Sequence, residues 1–136
     1  MAWTTSLIRI ADHEIEELRK RLAEIVGRRS QWEMALAVLD AEAESETQNA
    51  KTSAEAGWYL VGFREGWKIR RAKLEMELRA CELEEAGARD ALSAAFEARK
   101  KVETVAQQHA AVQRKAEKAR DSAEMDALAL RRATRA

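Results

Sequence analysis

Starting at Ile8 and stepping alternately three and four residues, the chain presents Ile8, Ala11, Ile15, Leu18, Leu22, Ile25, Arg29, Trp32, Leu36, Leu39 and Ala43. That is an a/d heptad stripe held for about five heptads and broken by one charge. The positions between are mostly Glu, Arg, Lys and Asp, as a solvated face requires. The pattern fades after Ala43, where Glu46 takes a seam position. It predicts a first helix over about 5–48, with Ser6 as its N-cap and a length of about 65 Å.

The same walk from Leu74 meets Leu78, Cys81, Glu85, Ala88, Leu92, Ala95, Arg99 and Val102. Beyond Val102 the stripe is read as drifting to Val105, His109, Val112, Ala116, Ala119 and Ala123. The short step from Val102 to Val105 would locally alter a supercoil. A second helix is predicted over about 64–132, about 100 Å long, its later half lined by alanine. Between the helices lies the one clear interruption, 49–63, with Gly57-Trp58-Tyr59-Leu60-Val61-Gly62-Phe63 at its heart. Three of the five glycines (Gly57, Gly62, Gly66) and four of the seven aromatics (Trp58, Tyr59, Phe63, Trp67) fall in or beside it.

The predicted fold is therefore all-α: an antiparallel two-helix coiled-coil hairpin with a longer second helix, forming one coiled-coil domain over 1–136. Facing residues in such a hairpin have numbers with a constant total. A total near 114 sets Leu22 against Leu92, Leu36 against Leu78, Trp32 against Cys81 and Arg29 against Glu85. Shifting by one heptad strands both seam charges, at several kcal/mol per buried ion before relaxation. Arg29 and Glu85 are thus the register-setting pair. The same register centres the turn on Gly57 and places Gly27 level with Gly87, both facing outward, as a soft point in the helices. It pairs Arg28 with Glu84 and Glu42 with Arg70, but leaves Asp40 near Glu75 and Glu33 near Glu82. It leaves Arg114 to Ala136 without an intramolecular partner, so that Ala116, Ala119, Ala123, Ala127 and Leu130 present an unmatched apolar stripe.

Composition agrees with two long helices. There is no proline, and alanine, glutamate, arginine, lysine and leucine dominate. The 46% hydrophobic fraction is inflated by 28 alanines, which bury little area, so the seam must be narrow. With 24 basic and 24 acidic residues the net charge is zero, which argues against a general nucleic-acid binder. No apolar run approaches the roughly 20 residues of a membrane span, and Met1 to Arg9 lacks a signal-peptide core. One cysteine forms no internal disulfide and suits a reducing compartment, so a cytoplasmic location is expected.

Catalysis is not expected, because two paired helices offer no pocket to bury a substrate. No phosphate loop, nucleophile elbow or convergent acid pair is present. His13 and His109 lie far apart without cysteine or carboxylate company, so neither metal nor cofactor is expected. Cys81 opposite Trp32 reads as a small buried thiol. What remains is recognition. Tyr59, Phe63 and Trp67 are spaced by four and share a helical face. Thr52-Ser53-Ala54-Glu55 matches a capping box, so the tip is read as carrying its own short helix. These rings either cap the end of the hairpin or anchor a partner, as large rings often do. Arg64 to Lys73 holds five bases and one acid, and Asp40 to Glu46 holds four acids. Either the two neutralise each other, or Arg70 and Arg71 form a basic contact.

These residues together resemble the FliJ-like proteins of the bacterial flagellar type III export apparatus. Ser6-Leu7-Ile8-Arg9-Ile10-Ala11 leads straight into a Glu/Arg-rich heptad helix, and an aromatic tip lies near mid-chain. The C-terminal Glu124-Met125-Asp126-Ala127-Leu128-Ala129-Leu130-Arg131-Arg132-Ala133 is similar to the family's ending, with leucine where the family often has phenylalanine. The resemblance implies a non-enzymatic coiled-coil stalk coupling the export ATPase hexamer to the membrane export gate and engaging export chaperones. It implies no nucleic acid and at most peripheral association with the inner membrane. Gate contacts in the family lie on the second helix just after the tip, which corresponds to Phe63 through Leu78. From their chemistry, the candidate gate-side residues are Trp58, Tyr59, Phe63, Trp67, Arg70 and Arg71. The candidate ring-side residues are Ala116, Ala123, Leu128 and Leu130. The alternative is a self-assembling structural or scaffold coiled coil in which the overhangs pair between chains.

Overall fold

The computed structural model describes residues 2–52 and 54–135, with no account of the Ala2 side chain. They form two α-helices, α1 (Ala2–Ala50) and the longer α2 (Ala54–Arg135), a helical hairpin. The chain packs as two compact units: residues 16–93, which contain the turn, and the first fifteen residues with 94–136.

In the turn-bearing unit the heptad seam is the core. Ile25, Cys81 and Ala88 are buried together, with Leu22 and Trp32 packed against them. The Cys81 thiol donates to the Ile25 carbonyl at 3.3 Å, which satisfies a donor that burial would otherwise strand. Leu39 is buried as well. Arg28 reaches Glu84 at 2.7 Å and Arg70 reaches Glu42 at 3.9 Å. Hydrogen bonding to Glu84, then its charge, holds the Arg28 guanidinium above its usual range. Asp40 and Glu75, set close by the sequence, are reconciled by Arg71, which bonds the first at 3.2 Å and the second at 2.6 Å.

In the unit of the chain termini, Ala11, Ile15 and Ala95 are buried. Arg99 bridges Asp12 on α1 and Glu103 on its own helix. Trp3 meets His109 edge-on, with ring centroids 4.9 Å apart. Thr4 is also buried, at 7% exposure. It extends the α1 seam one step upstream with a polar residue that an apolar walk skips.

Every seam position named for α1, from Ile8 to Ala43, is buried or half-buried, as is every one for α2 from Leu74 to Val102. Four expectations change. Helix α1 begins at Ala2, so Ser6 lies inside it and is not its cap. The stripe does not slip at Val105: Ala106, His109, Ala110 and Gln113 are half-buried, while Val105 and Val112 are exposed. The uninterrupted heptad step outweighs the larger apolar area of the valines. The tip has no short helix of its own, because α2 runs unbroken from Ala54 and includes Gly57, Gly62, Gly66 and all four tip aromatics. The capping box falls partly on Ser53, outside the described residues.

The chain turns directly after Ala50, at Lys51 and Thr52, not at Gly57. Helix α1 ends in two tight bonds, Lys51 N–H to Gln48 O at 3.2 Å and Thr52 N–H to Asn49 O at 3.1 Å. The Thr52 hydroxyl adds a bond to the Asn49 carbonyl at 2.6 Å. Short polar side chains that compete for backbone groups stop this helix. No described residue, glycine included, adopts a positive φ, so the glycines are not spent on the turn.

The offset has a geometric cause. Side chains lean toward the N-terminus of their own helix. Around a hairpin, those of α1 lean away from the turn and those of α2 toward it. Contacts that reach backbone, Cys81 to Ile25 O and Trp67 to Leu39 O, join residues whose numbers total 106. The long ion pair Arg29–Glu85 totals 114. That total describes where the tips of two long side chains meet, and the backbones are level nearer the turn that is seen.

Candidate partner-binding surfaces

A charged layer crosses the apolar seam of the turn-bearing unit. Glu85 is only 6% exposed. Arg29 Nη1 donates to its Oε2 at 2.6 Å, and Arg89 Nη2, one turn on, donates to Oε1 at 3.0 Å. Arg29 also lies 3.6 Å from Glu33, while its Nε is buried and makes no hydrogen bond. A carboxylate removed from water needs this double pairing to offset its desolvation. The expected pair is present; Arg89 as the second partner was not foreseen, although its i,i+4 spacing from Glu85 signals it.

Beside the turn, the six gate-side candidates fall into two groups. Phe63, Trp67 and Arg71 are half-buried. The Trp67 indole N–H donates to the Leu39 carbonyl of α1 at 3.2 Å, and Arg71 lies over the Trp67 ring, 5.7 Å from its centroid. These three belong to the seam and its flank. Trp58, at 85% exposure, and Tyr59, at 65%, are open to solvent. Arg70 is exposed, 5.9 Å from the Phe63 centroid. Trp58, Tyr59 and Phe63 wall a shallow notch floored by Gly62 and Gly66 and closed by Arg70. A Cβ added at Gly62 or Gly66 would meet nothing within 4 Å, so their bareness leaves room beside the rings.

Arg70 also borders a second, apolar groove, between the helices, over Trp32, Ala35, Val38 and Leu39. Its rim alternates in charge, with Glu42 and Glu77 against Arg70 and Lys73. Two of the five bases in the run, Arg70 and Arg71, therefore pair with α1 acids, yet Arg70 remains accessible.

The ring-side candidates lie on a stretch with no cover. Gln113 is the last half-buried residue of α2, and 114–135 are exposed throughout. Ala116 and Ala123 lie open, as do Leu128 at 49% and Leu130 at 67%. Leu128 and Leu130, two residues apart, point to different sides of the helix, so each is exposed separately.

Among the described residues no His, Cys, Asp and Glu group could hold a metal ion. No described helix is long and apolar enough to cross a membrane.

Compared with known proteins, the chain is 53% identical over 131 residues to the Flagellar FliJ protein of Caulobacter vibrioides strain NA1000 / CB15N, covering 96% of this chain and 94% of the relative. The Flagellar FliJ protein of strain ATCC 19089 / CIP 103742 / CB 15 matches with the same figures. No family model matches the chain. No solved structure matches it.

Proposed function

The chain belongs to the FliJ family of flagellar proteins, and from that premise we propose that it is a non-enzymatic component of the flagellar type III export apparatus. In this reading it is the coiled-coil stalk that couples the export ATPase hexamer to the export gate and engages export chaperones. It works in the cytoplasm, held peripherally at the inner membrane by its gate contact. The exposed surface beside the turn, Trp58, Tyr59 and Arg70, meets the gate, with Phe63, Trp67 and Arg71 holding it in place. The uncovered stretch carrying Ala116, Ala123, Leu128 and Leu130 enters the ATPase ring.

The observation that carries this is the presence of two uncovered surfaces on one chain. An amphipathic helix with no partner of its own gains most from insertion into a ring that lines it. Aromatic rings beside a guanidinium are the usual anchors of a protein interface.

Isothermal titration against the purified ATPase hexamer and against the cytoplasmic domain of the gate tests both assignments. A chain ending at Gln113 should keep gate binding and lose ring binding. Trp58→Ala with Tyr59→Ala should do the reverse. Ring binding by the shortened chain would remove the proposed role of 114–135. Unchanged gate binding by the double variant would remove that of the rings.

A further inference from the structure

The outward face of α2 carries a pattern the hairpin does not use. Ile69, Met76 and Leu83 follow one another at seven-residue spacing and are 71%, 70% and 76% exposed. Their neighbours in the seam, Leu74, Leu78 and Cys81, point the other way and are half-buried or buried. A heptad repeat of large apolar side chains is matched by another helix, because only a second helix keeps step with a period of seven.

Most of the stretch reads alike in both directions about Met76. Glu75 mirrors Glu77, Leu74 mirrors Leu78, Lys73 mirrors Arg79, Ala72 mirrors Ala80, and Ile69 mirrors Leu83, while Arg70 stands against Glu82 and Arg71 against Cys81. Ala72, Lys73, Arg79 and Ala80 are exposed like the apolar three, so the symmetry belongs to the surface as well as to the sequence. A surface that binds a second copy across a twofold axis must be complementary to itself, and this one sets both signs of charge beside an apolar stripe.

We propose that this face, from Ile69 to Leu83, binds a second copy of the chain, with the two α2 helices antiparallel and Met76 on the axis. In that arrangement Ile69 of each copy meets Leu83 of the other. Lys73 and Glu77 share one flank of the stripe, and Glu75 and Arg79 share the other. Antiparallel helices bring like flanks together, so Lys73 faces Glu77 of the second copy and Arg79 faces its Glu75. Among the described residues, none of Lys73, Glu77 or Arg79 is held in an ion pair within the chain; Glu75 is held by Arg71. The stripe is short, and the contact falls below the roughly 1,200 Å² of a standard interface, which makes the dimer weak and reversible. This inference is independent of the export reading.

Sedimentation equilibrium of the intact chain, from micromolar to several hundred micromolar, should show a reversible monomer–dimer equilibrium. Met76→Asp should weaken it at least tenfold while leaving helicity unchanged. Cross-linking fixes the geometry. With Cys81 buried and the unmodified chain as control, Met76→Cys should form a disulfide-linked dimer under mild oxidation. Ile69→Cys mixed with Leu83→Cys should cross-link far better than either alone. A chain that stays monomeric over that range overturns the proposal. So does preferential linkage of Ile69→Cys to itself, which would mean parallel helices. Monomeric behaviour, combined with a Met76→Asp defect in binding the gate domain, would assign the face to that partner instead.

Discussion

Replacing Arg29 by leucine isolates the charged layer. The change removes a 2.6 Å charge-assisted bond to a carboxylate that is 6% exposed. Such bonds contribute about 1.5–3 kcal/mol, and a buried carboxylate stripped of every partner costs about 3–5 kcal/mol. Glu85 is not stripped, because Arg89 still donates to its other oxygen at 3.0 Å. The Arg89 side chain is 60% exposed, so its help is diluted by solvent. Arg29→Leu should therefore cost about 1–2 kcal/mol. Glu85→Leu should cost less, since the Arg29 side chain is already 32% exposed and can turn its head to water. The double replacement makes an apolar layer in a leucine seam and should be near neutral or stabilising. The cycle should thus show a coupling of about 2–3 kcal/mol, the sum of the two single losses. Adding Arg89→Ala to Arg29→Leu should raise the loss to about 3 kcal/mol or more. Urea denaturation followed by circular dichroism at 222 nm measures all of these. Additive single effects, or a double variant less stable than Arg29→Leu alone, would refute the view that this layer is a matched buried pair.

Three further outcomes follow from local geometry. Gly27 and Gly87 are exposed mid-helix with nothing within 4 Å of an added Cβ; alanine at each should add about 0.5–1 kcal/mol, with slower hydrogen exchange around both sites if they are soft points. Trp67→Phe keeps most of the ring but drops the bond to the Leu39 carbonyl, so it should cost about 1 kcal/mol in the same denaturation assay. The Cys81 thiol is 3% exposed and bonded to Ile25 O, so an aromatic disulfide reagent should label it at the rate of local opening and at once in urea.

The heptad walk located nearly every inward position because burial in a two-helix seam depends on little else than spacing. It failed where a second consideration competes. Val105 and Val112 drew the stripe off course because they are larger than Ala106 and Ala110, yet period decides which face turns inward and size only how well it packs. Gly57 drew the turn off course because glycine is the usual breaker. In the structure Asn49, Lys51 and Thr52 end the helix through their own backbone and hydroxyl bonds, and the glycines are tolerated inside α2 at about 1 kcal/mol each. The division of the aromatic cluster was also hidden. Tyr59, Phe63 and Trp67 share a spacing of four, but only a turn placed directly after Ala50 puts Phe63 and Trp67 on the seam and leaves Trp58 and Tyr59 outside it.

That division has a consequence for the whole of α2. Inward positions are set by the partner helix and answer to register, so their replacement should be read in stability. Outward positions are free of that demand, and yet Trp58, Tyr59, Ile69, Met76 and Leu83 are large, apolar and well over half exposed. A helix under no other constraint would hold glutamate or lysine there, which are better helix formers than tryptophan or isoleucine and better hydrated. Gly62 and Gly66 make the same point from the other side, since each weakens the helix where alanine would fit. Residues that cost local stability and relieve no strain within the chain are explained by something outside it. The outward face of α2, from Trp58 to Leu83, is therefore where binding should be sought first, and changes there should alter association without moving the melting temperature.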